Sequence, residues 1–138
     1  MDNLHWRTHY GLDDQMDNEY KNLLLGTLQQ DAQLLVDYTT MFMTKPAFGK
    51  LEQELQEEFK EAMYSVTVSL GRHTLSVLEI DPWSLSRHLP ELFSRLELLS
   101  SLNKKVGIQS MAGAFENLRK GLVSCGLTYL NIETSSPA

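Results

Sequence analysis

Over most of this chain the apolar residues recur at alternating intervals of three and four, and that spacing constrains the fold more than any other feature of the sequence. One line runs through Leu25, Leu28, Ala32, Leu35, Thr39 and Phe42, and a second through Phe59, Met63, Val66, Leu70, His73 and Val77. A third joins Leu85, Leu89, Leu92, Leu96 and Leu99, and a fourth joins Ile108, Ala112, Phe115, Leu118, Leu122, Cys125 and Tyr129. An α-helix turns once in 3.6 residues, so each line falls on one face. A half-buried strand needs strict alternation; only residues 64–69 approach it, and they sit inside a longer helical period. The pattern predicts an all-α fold: a single compact domain of four main helices, packed as a bundle or in a more crossed, globin-like way.

Proline and glycine set the expected boundaries. Asp13 or Asp14 suits the start of a first helix, which continues to about Met43, with Gly26 able to bend or divide it. Pro46 and Gly49 mark a break, and a second helix follows from about Lys50 to Leu78. Asp81 and Pro82 read as a cap followed by a first-turn proline. Pro90 lies too far inside that third helix to be a first-turn proline. A kink near Pro90 is expected, because the leucine line keeps its spacing across it. The last helix is expected over about 108–130; Gly113, Gly121 and Gly126 within it suggest close approach by a neighbouring element, ahead of a bend or room for a ligand. The chain thus divides into a flexible N-terminal arm at 1–13, a helical domain at 14–131 and a C-terminal tail at 132–138.

A length of 138 residues with 42% hydrophobic composition suits one domain with its own core. No apolar run reaches the roughly 18 residues that span a bilayer, and the opening Met1-Asp2-Asn3-Leu4-His5-Trp6-Arg7 lacks the basic flank and apolar core of a signal peptide. The expectation is a cytoplasmic chain with no membrane partner. Cys125, the single cysteine, cannot form an internal disulfide and reads as a small core hydrophobe in a reducing compartment. The net charge of −6 is uneven: residues 1–81 hold six Lys and Arg against fourteen Asp and Glu, and residues 82–138 hold six against four. Phosphate binding needs a concentrated basic surface, so nucleic acid is not an expected partner. The division instead suits a molecule that docks acidic half to basic half in a homodimer.

His73 is the residue that most invites a chemical role, because it falls inside an apolar line. A core histidine is expected to stay neutral and hydrogen-bonded. The run Ser69-Leu70-Gly71-Arg72-His73, followed by Ile80-Asp81-Pro82-Trp83 and two further apolar helices, resembles the proximal-histidine helix and its downstream pair in globins and globin-type sensor domains. The resemblance covers residues 42–130 at most. It implies His73 as a proximal haem ligand, and a haem-binding sensor or carrier is the alternative function. His5 and His9 stand four apart, as zinc ligands on a helix can, but a terminal arm rarely builds a closed metal site, and no metal is expected. The glutamates at 52–61 read as a solvated face. The chain contains no Glu-x-x-His di-iron motif, glycine-rich phosphate loop or nucleophile elbow.

With no catalytic constellation in the sequence, the leading expectation is a non-enzymatic regulatory or adaptor protein that binds another protein and self-associates. Surplus apolar residues beside the main lines, Leu23, Leu24, Met41 and Met43, together with Trp6 and Tyr10 of the arm, are the expected partner-binding residues.

Overall fold

A computed structural model of the chain describes the backbone of residues 2–79 and 82–127 and the side chains of 18–78 and 85–127. It is all-α, with five helices among the described residues: α1 (Asp2–Met43), α2 (Pro46–Gly49), α3 (Gln53–Glu79), α4 (Pro82–Lys105) and α5 (Ala112–Ser124). None of them is long and apolar enough to cross a membrane. The helix α1 begins upstream of Asp13, because no proline precedes Pro46 and an interior glycine costs only about 1 kcal/mol without breaking the hydrogen-bond ladder. The tail at 132–138 lies outside the described residues.

The four long helices close into a ring of contacts, α1 on α3, α3 on α4, α4 on α5 and α5 on α1. Leu28, Ala32, Leu35, Phe59, Val66, Leu89, Leu92, Leu96, Leu99, Phe115 and Leu122 fill the centre. Each belongs to one of the three-and-four lines. Ala62, Phe93 and Leu102 are also buried, one step to the side of those lines, because every long helix packs against two neighbours and so buries a broad stripe.

The connection after α1 does more than break the chain. With Lys45 extended, Pro46 opens a single helical turn that carries Phe48 into the core. The Phe48 ring meets Phe42 and Phe59 edge to face, at centroid distances of 5.8 and 5.7 Å, and closes one end of the bundle. At Pro90 the helix continues to Lys105 without a restart. A proline deletes one amide donor, and the leucines on either side of it, Leu89 and Leu92, are wholly buried and hold the segment in place.

Both later helices end on a glycine of positive φ, Gly107 at 84° and Gly126 at 100°. After α4 the Ile108 and Gly107 amides donate to Asn103 and Lys104, and after α5 the Leu127 and Gly126 amides donate to Leu122 and Val123. This is the paired hydrogen-bond pattern of a left-handed helix cap. It stops α5 at Ser124, short of the end that the apolar line alone suggests, and leaves Ile108 in the connection before α5.

Polar contacts also tie the helices together, among them Arg72 and Ser69 of α3 on Glu91 of α4. Across the bundle Asn103 Nδ2 donates to Thr39 Oγ1 and to the Leu99 carbonyl, both at 2.9 Å, and the Thr39 hydroxyl returns to Leu35. Between α4 and α5 the Arg119 side chain lies against Glu116 and Glu97 with its guanidinium 6.0 Å from the Phe93 ring centre.

Candidate functional site

His73 projects from the middle of α3 into the core and is 0% exposed. Neither ring nitrogen has a hydrogen-bond partner of proper geometry. Burial lowers its pKa below the ordinary 6.5, and the backbone of Leu25 on α1 opposes that shift. The ring is therefore a neutral, buried group, as the sequence suggests. The Leu25 backbone on α1 is the group placed to meet the ring, short of proper hydrogen-bond geometry, while Ser69 and Ser76 donate elsewhere, to Glu91 and to the Arg72 carbonyl.

A haem ligand needs its ring nitrogen to open onto a cleft. Three clefts, at Tyr38 and the α4–α5 connection, along α1 at Gln30 and Leu34, and between α3 and α4 at Glu58 and Leu98, are not lined by His73. The His73 ring, at 0% exposure, presents no open face to a ligand in this structure. Among the described residues no group of three His, Cys, Asp or Glu side chains could hold a metal ion.

The feature with the reach of a binding site is the outward side of α1. Tyr20, Leu23, Leu34, Tyr38 and Met41 are exposed there, on the side of the helix turned away from Leu28, Ala32 and Leu35. At 100° per residue these five fall within a band about 60° wide. Tyr20, Thr27, Leu34 and Met41 are spaced seven apart, the interval at which a helix meets another helix. Along the stripe stand Glu19, Asp31 and Asp37, none of which pairs with a cation among the described residues. Lys21, the one cation on α1 between 18 and 43, is half-buried on the other side of the helix. The stripe is thus apolar at its centre and acidic at its borders.

Beside this stripe runs α5, antiparallel to α1. Tyr38 lies by Gly113 and Ala114 at one end, and Tyr20 and Leu24 lie by Gly121 at the other. A methyl at Gly121 would come within 2.9 Å of Leu24 Cδ1, the close approach expected there, whereas at Gly113 and Gly126 it would meet nothing within 4 Å and Gly126 serves the helix cap instead. Near the other end, Tyr38 and Met111 with Gly113 and Ala114 border an open cleft of about 510 Å³.

Of the partner-binding residues expected from the sequence, Leu23 and Met41 lie in the outward stripe and are more than half exposed. Leu24 and Met43 are half-buried against the core instead. Trp6 and Tyr10, like His5 and His9, have side chains outside the described residues. Sequence reasoning missed Tyr20, Leu34 and Tyr38, although Tyr20 and Leu34 share a seven-residue spacing with Met41, and Tyr38 stands four beyond Leu34, a signal offset from the core line that could have found them. Compared with protein-family models, characterised proteins and solved structures, the chain finds no match.

Proposed function

We infer that this chain is a non-enzymatic regulatory or adaptor protein that works by binding other proteins and by self-association. The observation that supports the reading is the outward stripe of α1. That helix already satisfies the core with one face, and folding gives no reason for Leu23, Leu34, Tyr38 and Met41 to line up on the other. Burial of such side chains contributes about 1.5–3 kcal/mol each, enough for a few of them to support specific binding. The seven-residue spacing suits a helical partner, and the unpaired carboxylates suit one flanked by Lys and Arg.

The test uses two synthetic helical peptides with the same leucine heptads, one flanked by lysine and one by glutamate, labelled for fluorescence anisotropy. The lysine peptide binds in the micromolar range and the glutamate peptide does not. Leu34→Ser and Met41→Ser, which leave the charge unchanged, weaken the lysine peptide about tenfold each, a loss of about 1.4 kcal/mol. Equal binding by both variants would show that charge alone attracts the peptide, and the reading would fail.

A further inference from the structure

A second unpartnered face lies on α3. On the side away from Phe59, Val66, Leu70 and His73, the helix presents Tyr64, Leu75 and Leu78, which are 74%, 60% and 72% exposed, with Gly71 exposed between them and Val68 half-buried alongside. The stripe is symmetric, since Tyr64 and Leu78 each stand seven residues from Gly71. Such a stripe is self-complementary when two copies meet antiparallel. Tyr64 then faces Leu78 of the partner subunit, Leu75 lies by Thr67 and Val68 of the partner subunit, and the two glycines meet on the axis.

We propose that α3 binds a second copy of this chain, antiparallel, about a two-fold axis through Gly71. The proposal rests on the self-associating reading above and gives it a site. Charge selects the occupant. Copies of a chain with net charge −6 repel one another unless they meet where carboxylates are absent. Residues 62–78 contain no Asp or Glu, with Glu61 and Glu79 confined to the two ends of the stretch, and their one permanent charge, Arg72, is held by Glu91 of α4 at 3.0 Å. The α1 stripe, bordered by Glu19, Asp31 and Asp37, would set like charges together in a symmetric pair.

Gly71 supports the same assignment. A Cβ placed there meets nothing within 4 Å, so the protomer itself does not require glycine at this interior helical position. A second helix crossing at that point does, because the missing side chain lets the two axes come close. Covering the face leaves its threonines satisfied, since the Thr67 and Thr74 hydroxyls return to the Met63 and Leu70 carbonyls at 2.8 and 2.9 Å.

The experiment is sedimentation equilibrium of the full chain over about 5 to 500 µM, a range suited to an interface at the small end of the specific classes. The wild type dimerises with a Kd on the order of 10 µM. Gly71→Lys and Leu75→Lys each weaken dimerisation about thirtyfold or more, with helical circular dichroism unchanged, and Leu34→Ser leaves it intact. A dimer that persists in both lysine variants overturns the α3 site and leaves the self-associating reading standing. A wild type that stays monomeric at the highest concentration overturns both.

Discussion

Replacing His73 by leucine should stabilise this protein. The imidazole is wholly buried, and its contact with the Leu25 backbone falls short of proper hydrogen-bond geometry, so the native state bears most of the desolvation of one donor and one acceptor without a full compensating bond. An uncompensated buried polar group costs about 1–3 kcal/mol, and an apolar residue of similar volume removes that cost. Leucine is close in size and favours helix, and some repacking loss offsets the gain. The net expectation at pH 7.5 is a gain of about 1–2 kcal/mol, or a rise in Tm of roughly 3–8 °C for a chain of this length.

The pH dependence supplies an independent check. Because burial depresses the folded-state pKa, the folded and unfolded states are both neutral above about pH 6.5 and the histidine contributes no slope there. Below it the unfolded chain takes up a proton that the folded chain does not, so stability falls as pH drops from 6.5 towards the folded-state pKa. The loss reaches up to about 1.4 kcal/mol per pH unit. Urea unfolding followed at 222 nm at pH 7.5 and 5.5 measures both effects, and the difference between wild type and variant cancels every other titration. If His73→Leu is destabilised at pH 7.5 and shows the same pH slope as the wild type, the ring has a partner and the reasoning is wrong.

Other expectations concern the helices around it. Gly71→Ala and Gly26→Ala, made where a methyl meets nothing within 4 Å, should each raise protomer stability by about 0.5–1 kcal/mol, measured by chemical denaturation at low protein concentration. Gly121→Val should instead cost about 1–3 kcal/mol, because Leu24 already stands 2.9 Å from the first added carbon. Thr39→Val removes the acceptor that joins α1 to Asn103 and should cost about 0.5–1.5 kcal/mol; a double-mutant cycle with Asn103→Leu should show the coupling, and additive effects would refute it. Pro90→Ala restores an amide donor inside α4 and should stabilise by about 1–3 kcal/mol in thermal melts, unless the proline contributes packing that this half-buried position does not suggest.

The fold was legible because apolar burial with helical period is what chiefly drives it, and that is written directly into positions such as Leu28, Leu89 and Phe115. Phe48 escaped because it belongs to a turn too short to show a period, placed by Pro46 rather than by hydropathy. Ser69, Ser76, Ser100 and Asn103 escaped because hydropathy scores them as surface. Their burial depends on acceptors that only the folded chain brings within reach, such as Glu91 for Ser69 and Thr39 for Asn103, or, for Ser100, on none at all. His73 was singled out correctly as buried, yet whether a ring nitrogen finds an acceptor is a matter of a fraction of an ångström across two helices. Leu24 and Leu23 show the same limit at the surface. They are neighbours in sequence, but α5 approaches at Gly121 and covers one of them, while the other stays open.

Two outward apolar faces on one small bundle raise a question of selectivity, and the placement of charge bears on it. Nine large apolar side chains are exposed among the described residues, enough that unspecific association has to be opposed. The carboxylates that oppose it are not spread evenly. They border the stripe on α1, crowd the first half of α3 up to Glu61, and are absent from residues 62–78 before resuming at Glu79. A copy of the chain approaching α1 therefore meets its own charge, whereas a cationic helix meets complementary charge. Between Glu61 and Glu79 the same repulsion is weaker, so a neutral, symmetric contact centred on Gly71 faces a lower electrostatic barrier there. Selectivity of this kind comes from what each face rejects as much as from what it holds. That is why the two lines of exposed leucine, tyrosine and methionine, similar in hydropathy, are assigned different partners.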